Sequence, residues 1–410
     1  MLSRSSAFVG VALMGTPIPS VAQAPVRISV AEAVRLIQNS SPLVRAADAR
    51  IAAANARLRS AGALQGPQLA VATHAGQNAA GLDEDIVVTQ TIELGDKVRQ
   101  RIRSALAERD SFLAAKRQTL SDLANSAKSA YFEALRAEAD RDIAAKSLES
   151  AQDFVKAAEI QFQAGDIPRS NVLRSQVEQS RAETALTAAE SDLASRNAAL
   201  RSLTWLPEDA VVTLTDKLEF VTTQYQLSEL RSLALKNRAD IQAAQFTRTA
   251  REAALREARS RTQPDLFIEG RHADVTKMNR DNSLRVGFTM PLFDLGHASG
   301  DVRAARAALN EQDALLAEDI RSARLEVEIA FRSLEQARKT VESFRTGRLE
   351  RSKTLLEMAQ TGYSRRAITY LELLDAQQTY RTEQAEYSRA LATHNIAKAA
   401  LEKAVGGTLP

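Results

Sequence analysis

The chain has 410 residues, a nearly balanced net charge of +3 and no cysteine. This balance argues against a nucleic-acid partner, and the lack of cysteine excludes disulfides, thiolate metal sites and cysteine nucleophiles. Only 5% of the residues are aromatic and 26% are charged, a composition typical of long helices. We therefore expect a mainly α protein with a small β part.

Residues 1–22 have the pattern of a signal peptide. Arg4 precedes the apolar run "AFVGVALMG", and small residues follow it. We expect cleavage after Ala22; cleavage after Ala24 is the alternative, but Pro25 would then directly follow the cut. No apolar stretch of roughly 18 residues occurs later, so the sequence predicts an exported protein without a transmembrane helix. It could enter a membrane only as a barrel.

The mature chain contains one large module twice, which predicts an internal twofold repeat. Residues 31–58 match residues 229–255. The segment "FQAGDIPRSNVLRSQ" (162–176) matches "YSRRAITYLELLDAQ" (363–377) at an offset of 201 residues. The predicted modules span 23–217 and 218–410.

Each module is predicted to contain a helix, two strands, a long helix and a shorter returning helix. Apolar and polar residues alternate in the strands, and apolar steps of four and three between residues 316 and 344 predict an antiparallel coiled coil. The predicted strands are 68–76, 85–94, 265–272 and 284–293, and the predicted helices are 98–161, 169–204, 300–361 and 368–404. Four strands cannot close a barrel alone, so several chains would have to share one; a soluble sandwich is the alternative.

No catalytic motif is present in the sequence. The four histidines lie outside any HExxH pattern, and there is no P-loop, GxSxG or GxGxxG. We therefore expect no enzymatic activity, no cofactor and no metal site. The segment "ELGDKVRQR" (93–101) is interpreted as a glycine turn followed by basic side chains that reach water at a membrane boundary.

Two helix turns are the most distinctive segments, and we name residues 162–170 the first tip and residues 363–369 the second tip. The chain must reverse at Gly165 in the first tip, and Arg366 takes that position in the second. Glu372 and Asp375 follow in the first turns of the returning helix. The helix dipole favours acidic residues there, so a structural role remains open beside a functional one.

The residues that carry a family resemblance are the duplicated module, "GDIPRSNVLRSQVE" in the first tip and "LELLDAQQTYRTEQAEY…LEKAVGG" (371–407). With the signal peptide, they resemble the TolC-type outer membrane efflux factors over nearly the whole mature chain. "QTIELGDKVRQR" resembles the CzcC-type heavy-metal branch, from which "PLFDLGHASG" (291–300) departs. The resemblance implies a homotrimer in the outer membrane lipid of a Gram-negative bacterium. Each chain would give four strands to a shared twelve-stranded β-barrel and its helices to a long periplasmic tunnel.

The resemblance also implies partners and site residues. A periplasmic adaptor and an inner-membrane pump would dock at the two tips: Gly165, Asp166, Ile167, Arg366, Ala367 and Ile368. The periplasmic constriction would comprise Glu372 and Asp375, with Tyr363, Arg365 and Arg366 as candidates for the bonds that hold it shut. Because the family has glycine where this chain has Arg366, either the turn is reshaped or the arginine accepts a strained backbone. The first module carries Asn171 and Arg174 instead of the acidic pair.

These features predict a passive outer-membrane exit duct of a tripartite efflux system with an RND-type pump, for divalent heavy-metal cations. Two alternatives remain open. One is an outer-membrane channel for type I protein secretion, which would share the same fold. The other is a soluble periplasmic coiled-coil scaffold or adaptor, which would lack a membrane-embedded part.

Overall fold

The computed structural model describes residues 26–75, 82–273, 281–290 and 296–409. The predicted signal peptide, the end of the predicted strand 284–293 and the first half of the "PLFDLGHASG" segment (291–295) lie outside the described residues. Across the described ranges, no helix has the length and apolar character needed to cross a membrane.

The element order is the same in both halves of the chain, except that the second long helix is divided in two, and this order confirms the twofold repeat. The first half contains β1 (Val26–Ile28), α1 (Val30–Ser40), α2 (Pro42–Ala61), β2 (Gln68–Ala75), β3 (Leu82–Ile92), α3 (Lys97–Gln163) and α4 (Arg169–Thr204). The second half contains β4 (Val212–Leu214), α5 (Leu227–Asn237), α6 (Ala239–Ser260), β5 (Asp265–Ala273), β6 (Asp281–Thr289), α7 (His297–Ser343), α8 (Leu349–Ser364) and α9 (Tyr370–Val405). Helix dominates throughout, as the composition predicted.

The long helices of the two halves differ in continuity. α3 is an unbroken helix of 67 residues, or roughly 100 Å at 1.5 Å per residue. The prediction of one continuous helix over 300–361 was wrong, because the chain is kinked at Phe344–Arg348, between α7 and α8. Gly347 has φ of 127° and ψ of 0° there, a conformation that only glycine adopts readily.

The two hairpins form one four-stranded antiparallel sheet in the order β2-β3-β5-β6, with β3 and β5 joining the hairpins. The alternation expected from the sequence places apolar side chains on one face. Large members of this face are exposed in the single chain: Leu69, Val71, Val88, Leu284, Val286 and Phe288. An apolar surface of this kind requires a covering layer outside the chain.

The "ELGDKVRQR" segment joins the sheet to α3 through ion pairs that are partly or fully withdrawn from solvent. Lys97 Nζ lies 2.8 Å from Asp265 Oδ1 and donates to the Gln263 carbonyl oxygen, also at 2.8 Å. Arg101 pairs with Glu93 at 2.5 Å. The interpretation of Lys97 as a solvent-reaching cation is therefore wrong: only 8% of its side chain is exposed, because β5 supplies its partners.

The apolar core lies where α1 and α5 pack against the long helices. In the first half, Tyr131 of α3 is fully buried, and its hydroxyl donates to the Ile28 carbonyl oxygen at 3.0 Å. The same hydroxyl accepts from the Asp216 backbone N–H at 3.2 Å. These bonds satisfy buried backbone groups beside the parallel pair β1–β4. They tie β1 and α3 to the segment that follows β4.

Candidate constriction and docking tips

Both tips reverse the chain with the same hydrogen-bond pattern. In the first tip, the N–H of Gly165 donates to Phe162 and that of Asp166 donates to Gln161. In the second tip, the N–H of Arg366 donates to Tyr363 and that of Ala367 donates to Gly362. Such paired bonds to the last turn of a helix form a Schellman motif, which needs a left-handed residue just after the helix.

Arg366 occupies the left-handed position that Gly165 occupies in the first tip, with φ of 60° against 80°. The second turn is therefore not reshaped: it keeps the backbone conformation of the first. Arg366 carries the strain of this conformation, about 1–2 kcal/mol. Its guanidinium also reaches the first tip, with Nη2 2.6 Å from Asp166 Oδ2. Because the two side chains are 74% and 39% exposed, the pair contributes at most about 1 kcal/mol.

Arg366→Gly is expected to remove the backbone strain together with the exposed ion pair. The strain relieved, about 1–2 kcal/mol, equals or exceeds the ion-pair contribution lost, at most about 1 kcal/mol, so unfolding stability should stay level or rise by up to about 2 kcal/mol. Guanidinium unfolding of the purified protein in detergent, followed by circular dichroism, measures this. Asp166→Asn is the matched control, since it removes the ion pair and keeps the strain. A loss of 2 kcal/mol or more in Arg366→Gly would contradict the strain assignment, on the approximate scale of these terms.

Glu372 has a local structural partner in the second tip. Its carboxylate accepts from the Thr369 backbone N–H at 2.7 Å, and the Thr369 hydroxyl accepts from the Glu372 backbone N–H at 3.3 Å. This capping box satisfies two free N–H groups at the start of α9. The backbone hydrogen bond from Thr369, followed by that from its hydroxyl, lowers the pKa of the exposed Glu372 carboxyl. The side chain therefore stays charged while it caps the helix.

An aromatic cluster beside the tips joins α3, α8 and α9. The Tyr370 ring lies 5.9 Å from the Tyr363 ring and 6.3 Å from the Phe154 ring of α3, between centroids. The Tyr363 hydroxyl donates to Gln161 Oε1 at 3.4 Å. Burial raises the pKa of Tyr363 and takes that of Tyr370 to about 12, so both rings remain neutral.

The predicted constriction residues divide into three groups by their contacts. Arg366 bonds to Asp166 of the first tip, Tyr363 bonds to Gln161 near the end of α3, and Glu372 bonds to Thr369 of the second tip. Asp375 and Arg365 have exposed side chains that make no hydrogen bond or ion pair with another described residue. Arg365 therefore does not take part in holding the tips together within the chain.

Glu372 and Asp375 line the same cavity, of about 1300 Å³, between α3, α4, α8 and α9. Its ionisable lining residues are four acids and two bases: Asp140, Glu178, Glu372, Asp375, Arg181 and Arg381. The acids outnumber the bases by two, so the cavity wall attracts cations. Leu371 and Leu374 add apolar surface between the charges.

A cross-helix ion pair lies deeper in this cavity. Arg381 Nη1 of α9 is 3.5 Å from Glu178 Oε1 of α4, and each side chain is about one-fifth exposed. Burial lowers the pKa of Arg381 from the ordinary arginine value. The pair links the two returning helices, α4 and α9, across the cavity that Glu372 and Asp375 also line.

Two parts of this site were missed from the sequence. The capping box had a recognisable signal, because "TYLE" (369–372) follows the S/T-x-x-E pattern. The tip contacts between Asp166 and Arg366 and between Gln161 and Tyr363 had no such signal, since each joins residues about 200 positions apart.

The predicted docking residues form the outermost surface of the tips. Gly165, Asp166, Arg366 and Ala367 are exposed, whereas Ile167 and Ile368 are half-buried. Ile368 packs against the aromatic cluster. It also covers Gly362 so closely that an added Cβ there would lie only 3.2 Å from the Ile368 side chain. Among the described residues, no group of three or more His, Asp or Glu side chains could hold a metal ion.

Solved structures of outer-membrane channels share this fold. VceC from Vibrio cholerae aligns with a TM-score of 0.77 and 19% identity, over 92% of this chain and 96% of its own. The MtrE outer membrane channel of Neisseria gonorrhoeae aligns at 0.75 and 19%, over 92% and 89%. CusC, described as forming a transmembrane channel, aligns at 0.76 and 18%, over 92% of each chain. No curated protein matches the sequence significantly.

The sequence match follows the internal repeat. The family described as outer membrane efflux protein matches residues 33–204 and residues 230–407, one segment in each half. These segments contain the long helices α3, α7 and α8, both tips and the four-stranded sheet. The chain belongs to the outer membrane efflux protein family.

Proposed function

We propose that the protein is the outer-membrane exit duct of a tripartite efflux system and works as a homotrimer without catalysing a reaction. The observation that carries this proposal is the family match across both halves of the chain. The matched residues include α3, a single helix that extends roughly 100 Å. An inner-membrane pump of the RND type supplies the energy, and a periplasmic adaptor joins that pump to the duct.

The exposed apolar face of the sheet supports a position in the outer membrane of a Gram-negative bacterium. In water each exposed Å² of such a face costs about 25 cal/mol, and lipid removes this cost. The strands β2 and β6 are the edges of the sheet within one chain. Three copies supply twelve strands, which close into a β-barrel and leave no free edge.

The tips form the periplasmic entrance in this proposal. Their outermost residues are exposed and available to the adaptor, while the aromatic cluster beneath them is packed. Glu372 and Asp375 constrict the entrance, and three copies bring three acidic pairs towards one axis. Their mutual repulsion favours dilation, or a cation bridges them. Tyr363 and Arg366 provide the contacts that hold the second tip against the first.

Divalent heavy-metal cations are the proposed cargo. The "QTIELGDKVRQR" segment supports this choice through its resemblance to the heavy-metal branch, and the acidic excess of the tip cavity suits cations. The two arguments are independent, because the segment lies at the sheet end of α3 and the cavity lies near its other end.

Cell fractionation tests the location and assembly of the duct. The full-length protein, expressed in a Gram-negative host, should appear in outer-membrane fractions as a trimer that boiling converts to monomer on gels. Release of a monomer by osmotic shock would overturn the proposal and favour the soluble scaffold.

Metal susceptibility tests the cargo separately. A strain lacking the protein should become sensitive to divalent heavy-metal salts, and the wild-type gene should restore growth. Unchanged metal resistance, together with retention of an exported protein in the periplasm, would exclude metals as cargo and favour type I secretion.

A further inference from the structure

The helix ends next to the sheet carry an excess of basic side chains. The two turns of α2, α3, α6 and α7 that lie nearest the sheet along the chain are residues 55–61, 97–103, 254–260 and 297–303. They contain nine arginines and lysines but two acidic residues, whereas the whole chain has 54 basic and 51 acidic residues. A positive field is therefore concentrated at the sheet end of the helices.

Most of this charge is exposed. Lys97 and Arg101 are neutralised by the ion pairs that join α3 to the sheet. The other seven basic residues are all arginines with exposed side chains. Among the described residues, three of these arginines have no hydrogen-bond or ion-pair partner: Arg59, Arg103 and Arg259. Their charge is therefore available to a partner outside the chain.

The sheet fixes which side of α3 faces which way. Glu93 and Asp265 alternate with the apolar positions of β3 and β5, so they lie on the polar face of the sheet. Arg101 bonds to Glu93, and Lys97 bonds to Asp265. Because these two basic residues are four positions apart, they lie on one side of the helix. That side of α3 is the side of the polar face.

Arg99 and Arg103 lie on the opposite side of α3, which is the side of the apolar face. At about 100° per residue, both are roughly 120–160° from Lys97 and Arg101 around the helix axis. Arg99 has Asp96 at 4.0 Å, but both side chains are more than half exposed. Such a pair is screened by water and contributes little.

The end of α2 adds a third arginine beside this side of α3. Ile102 lies about 60° from Arg99 around α3. Gly62, the C-cap of α2, approaches Ile102 so closely that an added Cβ would lie 3.3 Å from its side chain. Arg59 is three residues before Gly62 and therefore on a neighbouring part of the α2 surface. The three arginines border one surface that continues from the apolar face of the sheet.

We propose that Arg59, Arg99 and Arg103 bind the phosphate groups of anionic phospholipids at the periplasmic boundary of the outer membrane. The inference rests on the proposed function, which places the sheet in the hydrocarbon core. Arg99 and Arg103 then lie about 3 Å and 9 Å beyond the first residue of α3, and the headgroup layer is roughly 5–8 Å deep on each side of the core.

The chemistry of the site favours a lipid with net negative charge. A guanidinium group donates paired N–H bonds to phosphate oxygens, and its aliphatic stem lies along apolar surface while the charge stays in the headgroup layer. The surrounding arginines add attraction that acts on anionic headgroups and not on zwitterionic ones. The adjoining apolar face of the sheet accommodates the acyl chains of the same lipid.

Lipid binding to the detergent-solubilised, full-length protein tests the site. Dioleoylphosphatidylglycerol and dioleoylphosphatidylcholine are titrated separately, and bound lipid is counted by native mass spectrometry. The natural protein should bind phosphatidylglycerol more tightly. The triple variant Arg59→Gln/Arg99→Gln/Arg103→Gln should lose affinity for it on the order of 100-fold, since each basic residue near an anionic surface contributes about fivefold. An unchanged preference in this variant would overturn the proposal.

Arg45→Gln/Arg324→Gln/Arg351→Gln is the matched control. It removes the same charge from three exposed arginines of α2, α7 and α8 that make no ion pair with another described residue, far from the sheet. This variant should keep the preference for phosphatidylglycerol. An equal loss in the control would show that net charge, and not the three junction arginines, attracts the lipid.

Two further measurements separate the other outcomes. Arg103→Gln alone replaces the triple variant should that variant fail to accumulate; it should weaken phosphatidylglycerol binding about fivefold, and unchanged binding would contradict the site. Displacement of the lipid by sodium phosphate, but not by sodium chloride of equal ionic strength, would identify a free-phosphate site and overturn the lipid assignment.

The failure of this inference is distinguishable from that of the proposed function. A protein that forms a trimer and conducts ions in planar bilayers, but binds both lipids equally, rejects the lipid site and keeps the duct. A protein that forms neither a trimer nor a channel rejects the duct, and the lipid site with it.

Discussion

Channels carrying both Glu372→Gln and Asp375→Asn are expected to lose much of their preference for cations over anions in planar bilayers, and their single-channel conductance should change. The reason is electrostatic: three copies would remove six negative charges from the narrowest part of the proposed duct, the count following from one acidic pair per chain. Unchanged conductance and selectivity would exclude these two residues from the constriction.

Two single variants separate the effect of the Glu372 charge from the effect of Glu372 as a helix cap. Glutamine still completes a capping box with Thr369, so Glu372→Gln removes the charge and keeps the cap. Thr369→Ala does the reverse, and should cost about 1 kcal/mol of stability without altering selectivity. A selectivity change in Thr369→Ala equal to that of the double variant would point to the helix start rather than to the charges.

Asp265→Ala is expected to lower the free energy of unfolding by about 3 kcal/mol, because it leaves the Lys97 ammonium buried without a counter-charge. Lys97 would keep only the Gln263 carbonyl oxygen among its described partners, and the Leu94 N–H would lose its bond to Asp265 at 3.2 Å. Guanidinium unfolding of the detergent-solubilised protein, followed by circular dichroism, measures the loss.

Asp301→Ala is the matched control for this junction. Asp301 also pairs with a basic side chain, Arg261 at 2.8 Å, but both groups are more than half exposed. Water and salt screen such a pair, so its removal should cost less than about 1 kcal/mol. Equal losses in Asp265→Ala and Asp301→Ala would show that burial of Lys97 contributes nothing to stability.

In the proposed duct, Glu372 would serve both stability and transport. Glu372 begins α9 by capping it, and the hydrogen bonds that form the cap also lower its pKa and keep it negatively charged. Asp375 lacks such partners and has an exposed carboxylate on the same cavity. Helix capping therefore explains why residue 372 is acidic. It does not explain the acidic residue at 375, for which the proposed constriction supplies a role.

Much of the fold was predictable because it depends on local periodicity. Apolar steps of four and three predicted the long helices, alternation of apolar and polar residues predicted the strands, and the internal match predicted the repeat. These signals need only neighbouring residues in the chain. The kink at Gly347 escaped prediction because an isolated glycine is tolerated within a helical pattern, and the apolar seam continues up to Phe344.

The sequence alone determined the mainly helical class, the duplication and the position of the two turns, since each is written in contiguous residues. Only the tertiary structure decided that Lys97 is buried, that Arg366 keeps a glycine-like backbone and that it bonds to Asp166. The burial of Lys97 and the bond between Arg366 and Asp166 depend on residues about 170 to 200 positions away. Folding brings such partners together, and no local pattern encodes their contact.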